Sequence, residues 1–357
     1  MGNYQRLFWT QRIIVLAIGV GILMSLPLWF TVRDFPLIPV IPGALPLTQL
    51  GSQIALVLLG ISLASSFIWA KSRGLVFITV VLLMIIGLQD FNRLQPWYWQ
   101  YLLILVILIP LAKGYKKYLD INHLLFAAQL TLAAVYFFSA LFKFNDDFFF
   151  RIVRYMYQPV TNYLVTWREQ ILLTGYAIPP LEMAIAFLLF IPRFRIFGIL
   201  LATGMHLSAL LLLGPFGLNA NSVVWPWNIA LIALIWVLFY KADNYKYNVY
   251  LSRLNWSAYL VLIAVWILPF LNLKGWYNES LAFELYSGRS YTPHLRYHHS
   301  KIDFVPDYME PYAFKKGDTV FVNTYNWSMQ QHNVPPNSDW KVIRQVQEKS
   351  LKKFQNR

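Results

Sequence analysis

Lys143, Glu182 and His206 each set a proton-handling group in apolar sequence. Glu182 and His206 fall inside long apolar stretches, where an ionisable side chain costs about 2.5 to 3.5 kcal/mol on insertion scales. They flank the basic turn Arg193-Phe194-Arg195. A chain folded back about residue 194 sets them level, about 18 Å from the turn by the helical rise, and predicts that the two side chains lie within hydrogen-bond reach, directly or through one water. A carboxylate and an imidazole at one depth can move a proton or hold the polar part of a ligand, or they can be a buried pair that fixes helix packing. Lys143 closes an apolar run and opens Lys143-Phe144-Asn145-Asp146-Asp147. Beside two aspartates, a lysine is a snorkelling anchor with a local ion pair. Desolvated among Phe142, Phe144 and Phe148 to Phe150, the same amine is a base. The cluster Gln89 to Trp97, in which Asp90 and Arg93 are expected to pair, would line the same mouth if a cavity opens outward.

Helices must position these groups, because nine apolar stretches of roughly 15 to 22 residues fill the first three-quarters of the chain. They cover about 12–32, 51–70, 75–89, 97–112, 121–142, 177–191, 196–213, 223–240 and 256–272. That length suits a bilayer core of about 30 Å. Segments three, four and six are short, and need snorkelling flanks, a thin bilayer or burial within the bundle. Alternate connections carry twelve cations: Arg6, Arg12, Lys71, Arg73, Lys113, Lys116, Lys117, Arg193, Arg195, Lys241, Lys246 and Arg253. The opposite short loops hold only Arg33 and Arg93, so the charge bias predicts an internal amino terminus and an external carboxyl tail. The net charge of +14 is then mostly a topology signal beside anionic headgroups, and not a nucleic-acid footprint. The first segment lacks a small-residue cleavage site and is read as a retained helix.

A composition of 58% hydrophobic and 13% charged residues belongs to the bilayer and not to a soluble domain of this length. With no cysteine, disulfides, thiol redox chemistry, iron–sulfur clusters and Cys-ligated zinc are excluded. His294, His298 and His299 have ligand-like spacing without a fourth ligand and are read as surface histidines; no metal is expected. The fold expected is all-α, a polytopic bundle of about nine helices over 1–273, followed by a small external appendage over 274–357. Within that appendage, Thr319 to Asn323 alternates like a strand after a hairpin turn at Lys315 to Asp318, and Asp339 to Phe354 reads as a basic amphipathic helix. In the connection 143–176, the run Phe148 to Tyr157 reads as an interfacial helix roofing a cavity.

The run Val135-Tyr136-Phe137-Phe138-Ser139-Ala140-Leu141-Phe142-Lys143-Phe144-Asn145-Asp146-Asp147-Phe148 resembles the lysine segment of the HTTM membrane-domain family, which includes vitamin K-dependent gamma-glutamyl carboxylase. The likeness continues through Pro180-Leu181-Glu182 and the basic turn to Met205-His206, and spans about 90–240. The resemblance implies a quinone-utilising, carboxylase-like enzyme with a reduced quinone as cofactor and Lys143 as the externally facing catalytic base. Glu182, His206, Trp99, Asp90 and Asn145 would then be cofactor-binding. Two departures are visible: Trp99 stands where the family has an upstream histidine, and the family's large lumenal domain is replaced by the short tail. Two other readings stay open. One is a non-enzymatic binding or assembly platform whose tail meets an external protein partner; the other is a quinone-linked electron-transfer accessory like the DoxX and MauE proteins. All three readings place the chain in a lipid bilayer, by expectation a bacterial inner (cytoplasmic) membrane, with lipid quinone as a ligand and no nucleic acid.

Overall fold

The computed structural model describes residues 1–109, 121–242, 254, 256–289, 294–298 and 305–355. Six helical runs are long and apolar enough to cross a membrane: Asn3–Met24, Gln49–Ile68, Ile121–Phe142, Val165–Leu188, Arg195–Leu213 and Trp256–Lys274. Three shorter apolar helices, Arg73–Gly87, Pro96–Leu108 and Val224–Phe239, complete the apolar set among the described residues. In chain order we label them α1 (Asn3–Met24), α2 (Gln49–Ile68), α3 (Arg73–Gly87), α4 (Pro96–Leu108), α5 (Ile121–Phe142), α6 (Ile178–Leu188), α7 (Arg195–Leu213), α8 (Val224–Phe239) and α9 (Trp256–Trp266).

The helices arrange themselves by how much of their surface is apolar. α4 and α5 are apolar all round and lie in the centre, buried on nearly every face, and α5 packs against α1, α4, α6, α8 and α9. A helix hydrophobic on every side needs such a position or lipid around it. Burial is how the 13-residue α4 meets its shortness. α2 and α7 take the rim and leave Leu58, Ile61, Leu200, Leu207 and Leu211 exposed, an apolar face suited to acyl chains. The sixth apolar segment is longer than its expected bounds of 177–191. The helical run starts at Val165, because a 3-10 turn at Gly175–Ala177 leads straight into α6 and Pro179 sits in the first turn, where its missing N–H costs nothing.

Several of the expected cytoplasmic cations turn inward to the bundle instead of out to headgroups. Arg6 is buried and donates to the carbonyls of Val237, Tyr240 and Lys241 at 2.7, 2.7 and 2.9 Å, closing the end of α8. Arg12 donates to Phe67 O at 3.1 Å, Arg73 to Gln11 Oε1 at 3.0 Å, and Arg195 to Leu189 O at 3.1 Å and Ala242 O at 2.6 Å. A helix leaves its last carbonyls unbonded and carries partial negative charge there, so a guanidinium serves both needs. Their common placement gathers the starts of α1, α3 and α7 and the ends of α2, α6 and α8 at one end of the bundle. Lys113, Lys116, Lys117, Lys246 and Arg253 lie outside the described residues.

The expected pairing of Asp90 with Arg93 is replaced by another. Asp90 forms its ion pair with Arg33 and accepts from Ile38 N at 3.2 Å. Arg93, buried, donates to the carbonyls of Leu28 and Ile86, both at 3.0 Å, and lies 5.6 Å from the Trp29 ring centre. The 3-10 turn Phe91–Arg93 points the guanidinium back under the end of α3, away from the carboxylate. Burial is the main cause that lowers the Arg93 pKa to about 10, against the opposing pull of Asp90.

The tail forms a three-stranded antiparallel sheet in the order β1 (His294–His298), β3 (Thr319–Asn323), β2 (Ala313–Lys316). Gly317, at φ +59°, makes the β2–β3 turn. Two helices follow, Thr324–His332 and the basic Trp340–Gln355. Their core, Leu295, Tyr297, Val322, Trp327 and Val342 among others, also takes Phe35 and Ile38 from the α1–α2 connection. Val322 and Val320 face this core while the alternate residues of β3 do not, the period expected of a half-buried strand. His299 lies outside the described residues, and among those described no group of three His, Cys, Asp or Glu side chains could hold a metal ion.

Candidate functional site

Tyr136, Ser139 and Lys143 recur at i, i+3 and i+7 along α5, so one stripe of an otherwise apolar helix carries three polar groups. The stripe faces α6, α7 and α8 and forms the polar wall of a cavity of about 650 Å³. Glu182 from α6, His206 from α7 and Asn228 from α8 complete that wall, and Ile185, Leu201 and Leu231 are among the apolar groups that enclose the rest. Tyr136, Ser139 and Lys143 come from α5 and the residue that follows it, and Glu182, His206 and Asn228 from three other helices, so the wall exists only in the assembled bundle.

The Lys143 amine lies 2.7 and 2.8 Å from the two carboxylate oxygens of Glu182 and 2.5 Å from Ser139 Oγ. Both members of the ion pair are buried, with side chains 7% and 9% exposed. Three acceptors for three N–H bonds is the pattern of an ammonium. Of the two readings open for Lys143, an ion-paired anchor and a desolvated base, the contacts supply an ion pair, with Glu182 as the partner instead of Asp146 or Asp147. Asp146 and Asp147 turn to solvent, and Asp147 pairs with Arg151 at 3.5 Å.

His206 makes two bonds, to Tyr136 Oη at 2.5 Å through Nε2 and to Asn228 Oδ1 at 2.7 Å through Nδ1. Glu182 and His206 share the cavity, yet each bonds a different residue of α5 and not the other. The expectation of hydrogen-bond reach, directly or through one water, assumed a symmetric hairpin about residue 194. Glu182 in fact lies six residues before the end of α6 at Leu188, and His206 eleven after the start of α7 at Arg195.

Loop segments close the end of the cavity nearest Lys143. Phe148, Met156 and Tyr157 line the cavity from the 143–176 connection, whose expected interfacial helix is broken into the turns Phe148–Ile152, Val153–Met156 and Gln158–Thr161. Leu285 and Tyr286 line it from the segment that follows α9. Gly288, at φ +82°, seats this second segment: a Cβ there would lie 2.5 Å from Phe148 N. Burial pushes the Tyr286 phenol well above its usual range.

The cavity opens sideways as well. Gly198 lets α7 touch α6 near their turn, where a Cβ would lie 3.0 Å from Leu188 Cβ. Two turns on, Gly204 lines the cavity with open space where a Cβ would be. Ala177 and Leu181 on one side, and Phe197, Leu200 and Ser208 on the other, line the cavity and remain exposed. The two helices thus splay into a V that opens on the bundle's lateral, apolar face.

Three of the expected cofactor-binding residues do not line this cavity. Asn145 is consumed as a clasp: its amide donates to Phe142 O and Ser287 O, both at 2.8 Å, and its oxygen accepts from Phe148 N at 3.0 Å. Asp90 is held under the tail by Arg33 and the Ile38 and Asn92 amides. Trp99 faces the bundle core from α4, away from the α5 stripe. Sequence reasoning passed over Tyr136, Ser139 and Asn228. Their signal was present, since Tyr136 and Ser139 stand at helical spacing from Lys143 and Asn228 is the polar exception in an apolar helix.

No family model matches the chain, and neither a curated protein nor a solved structure does.

Proposed function

We propose that the chain is a membrane-embedded enzyme that binds an amphiphilic hydroxyl compound of the reduced-quinone class and withdraws its proton at the Lys143–Glu182 pair. The observation that carries this reading is a buried ammonium–carboxylate pair on the wall of a roomy, otherwise apolar cavity. A platform without chemistry would gain nothing from leaving such space beside a costly ion pair. The wall fits a flat apolar ring with a polar edge, and a reduced quinone would supply an acidic hydroxyl there. With all three N–H bonds of Lys143 engaged, the basic lone pairs belong to Glu182. Its carboxylate takes the proton, and the Lys143 ammonium holds the oxyanion that remains, an electrostatic effect strengthened by the dry surroundings. Turnover is read as consumption of the hydroquinone with dioxygen as the oxidant, and the HTTM resemblance extends this reading to carbon dioxide incorporation, scored as uptake of labelled carbon dioxide.

The lateral V supplies the route, so the ligand enters from the bilayer with its hydrocarbon chain trailing between α6 and α7. Gly204→Phe fills the open rim. It is expected to weaken binding of a long-chain hydroquinone by about tenfold or more while a chainless analogue binds as before. Equal binding of both ligands by the variant, measured by native mass spectrometry, would remove the portal from the argument.

The charge bias orients the bundle with the end that gathers Arg6, Arg12, Arg73 and Arg195 in the cytoplasm and Lys143 toward the exterior. A phosphatase fused after Arg357 is expected to be active only if exported. Activity of a carboxyl-terminal reporter confined to the cytoplasm would reverse the orientation and place the Lys143 chemistry on the inner side.

A further inference from the structure

The hydrogen-bond polarity of the second arm of the polar wall follows from one backbone carbonyl. The Asn228 side chain touches Val224 O at 2.8 Å and His206 Nδ1 at 2.7 Å. A peptide carbonyl only accepts, so the amide nitrogen must face Val224 and the amide oxygen must face His206. That oxygen can only accept in turn, which puts a proton on Nδ1. His206 is buried, 5% exposed, with neutral bonding partners and the Lys143 cation in the same cavity. A buried ring with no carboxylate against it is kept neutral by the cost of desolvating its charge. In the neutral ring, Nε2 is then a lone-pair acceptor, and the Tyr136 hydroxyl must donate to it across 2.5 Å.

Tyr136 has one proton, and it is committed to His206. The phenol oxygen, which lines the cavity, has only lone pairs left to offer. We propose that Tyr136 is a specificity-determining acceptor, held in that role by His206 and Asn228 as positioning residues, and that it selects a ligand carrying a second hydroxyl beyond the one facing Glu182. The inference rests on the proposed reading of the Lys143–Glu182 pair. It names the residue that reads the second hydroxyl a reduced quinone carries, and with it the preference over a mono-hydroxy or fully oxidised relative. Such a ligand donates at two points, to Glu182 and to Tyr136, whereas a carbonyl or ether oxygen placed at Tyr136 would meet lone pair against lone pair.

The test uses the full-length protein in lipid nanodiscs under anaerobic conditions, with 1,4-dihydroxynaphthalene and its monomethyl ether, 4-methoxy-1-naphthol, as probes. Binding is followed by quenching of tryptophan fluorescence, since Trp227 lines the cavity. The wild type is expected to bind the diol about tenfold more tightly than the monoether, the ratio one hydrogen bond supplies. Tyr136→Phe is expected to erase the preference, by weakening the diol and relieving the monoether, and an unchanged size-exclusion profile and circular dichroism spectrum are the control for folding. Asn228→Asp supplies a carboxylate that favours the imidazolium, turns the Nε2 proton toward Tyr136 and frees the phenol proton to point into the cavity. Its expected result is a preference lost or inverted toward the monoether. A wild type that does not discriminate, or a Tyr136→Phe protein that still prefers the diol, overturns the proposal. If Tyr136→Phe does not fold, an Asn228→Asp protein with the wild-type preference overturns it as well. Glu182→Gln is expected to weaken both probes alike. Loss of turnover in Glu182→Gln together with no effect of Tyr136→Phe would keep the proposed function and discard only this refinement.

Discussion

Glu182→Gln is expected to lower hydroquinone turnover by about 10²- to 10⁴-fold, the range that a positioned proton acceptor contributes. The amide keeps the shape of the carboxylate but has no basic oxygen and leaves the Lys143 ammonium without its counter-charge. Lys143→Ala is expected to fall as far, because the oxyanion formed on deprotonation would have no cation beside it. Lys143→Arg divides the two roles. Arginine keeps a charge against Glu182 and Ser139 but cannot act as a base at any accessible pH. If the carboxylate takes the proton, the arginine enzyme retains activity to within about tenfold of wild type, the residual loss reflecting a planar fork in a site shaped for a compact ammonium. Activity as low as that of the alanine variant would assign the base to lysine itself, as the resemblance to the HTTM family implies. Retention in Glu182→Gln would end the acid–base reading for this pair altogether.

The bundle was legible because its signal is redundant. Each apolar run is long, and the runs are separated by loops of alternating charge, so a boundary error, nine residues at the start of α1 and twelve at the start of the run that holds α6, leaves the helical architecture unchanged. The β2–β3 hairpin and the last helix of the tail were legible for a similar reason: alternation, a glycine turn and an amphipathic period each specify a local conformation. The contribution of Phe35 and Ile38 to the tail's core was not legible, since two apolar residues in a loop carry no mark of what they will cover. The site was half visible. Cost alone singled out Glu182 and His206, because ionisable groups in apolar helices are rare, and Lys143 stood out as the charged end of an apolar run. Who pairs with whom depends on helix rotation and tilt, which periodicity does not supply. Counting residues about a turn therefore joined Glu182 to His206, whereas the packing of α6 against α5 joins Glu182 to Lys143. Arg93 shows the same limit, a neighbour in sequence pointed away by one 3-10 turn.

The pair also makes a claim about stability. Removing one member of a buried ion pair leaves the other as an uncompensated charge, which typically costs about 3 to 5 kcal/mol, while replacing both by apolar groups of similar volume is often neutral or stabilising. Lys143→Met and Glu182→Leu are each expected to lower the unfolding midpoint in thermal scans of the detergent-solubilised protein. The double variant is expected to recover most of that loss, because Met and Leu fill the space against Ile185 and Phe148 and leave no unpaired charge in the cavity wall. The coupling in this cycle, read as the failure of the two single effects to add, measures the pair directly. Strictly additive losses would mean that the two charges do not sense each other, and that the close contact of Lys143 with Glu182 is not the resting state. Recovered stability without recovered turnover is the outcome expected of a pair kept for chemistry, since an apolar replacement serves the bundle as well as the ions do and serves a proton transfer not at all.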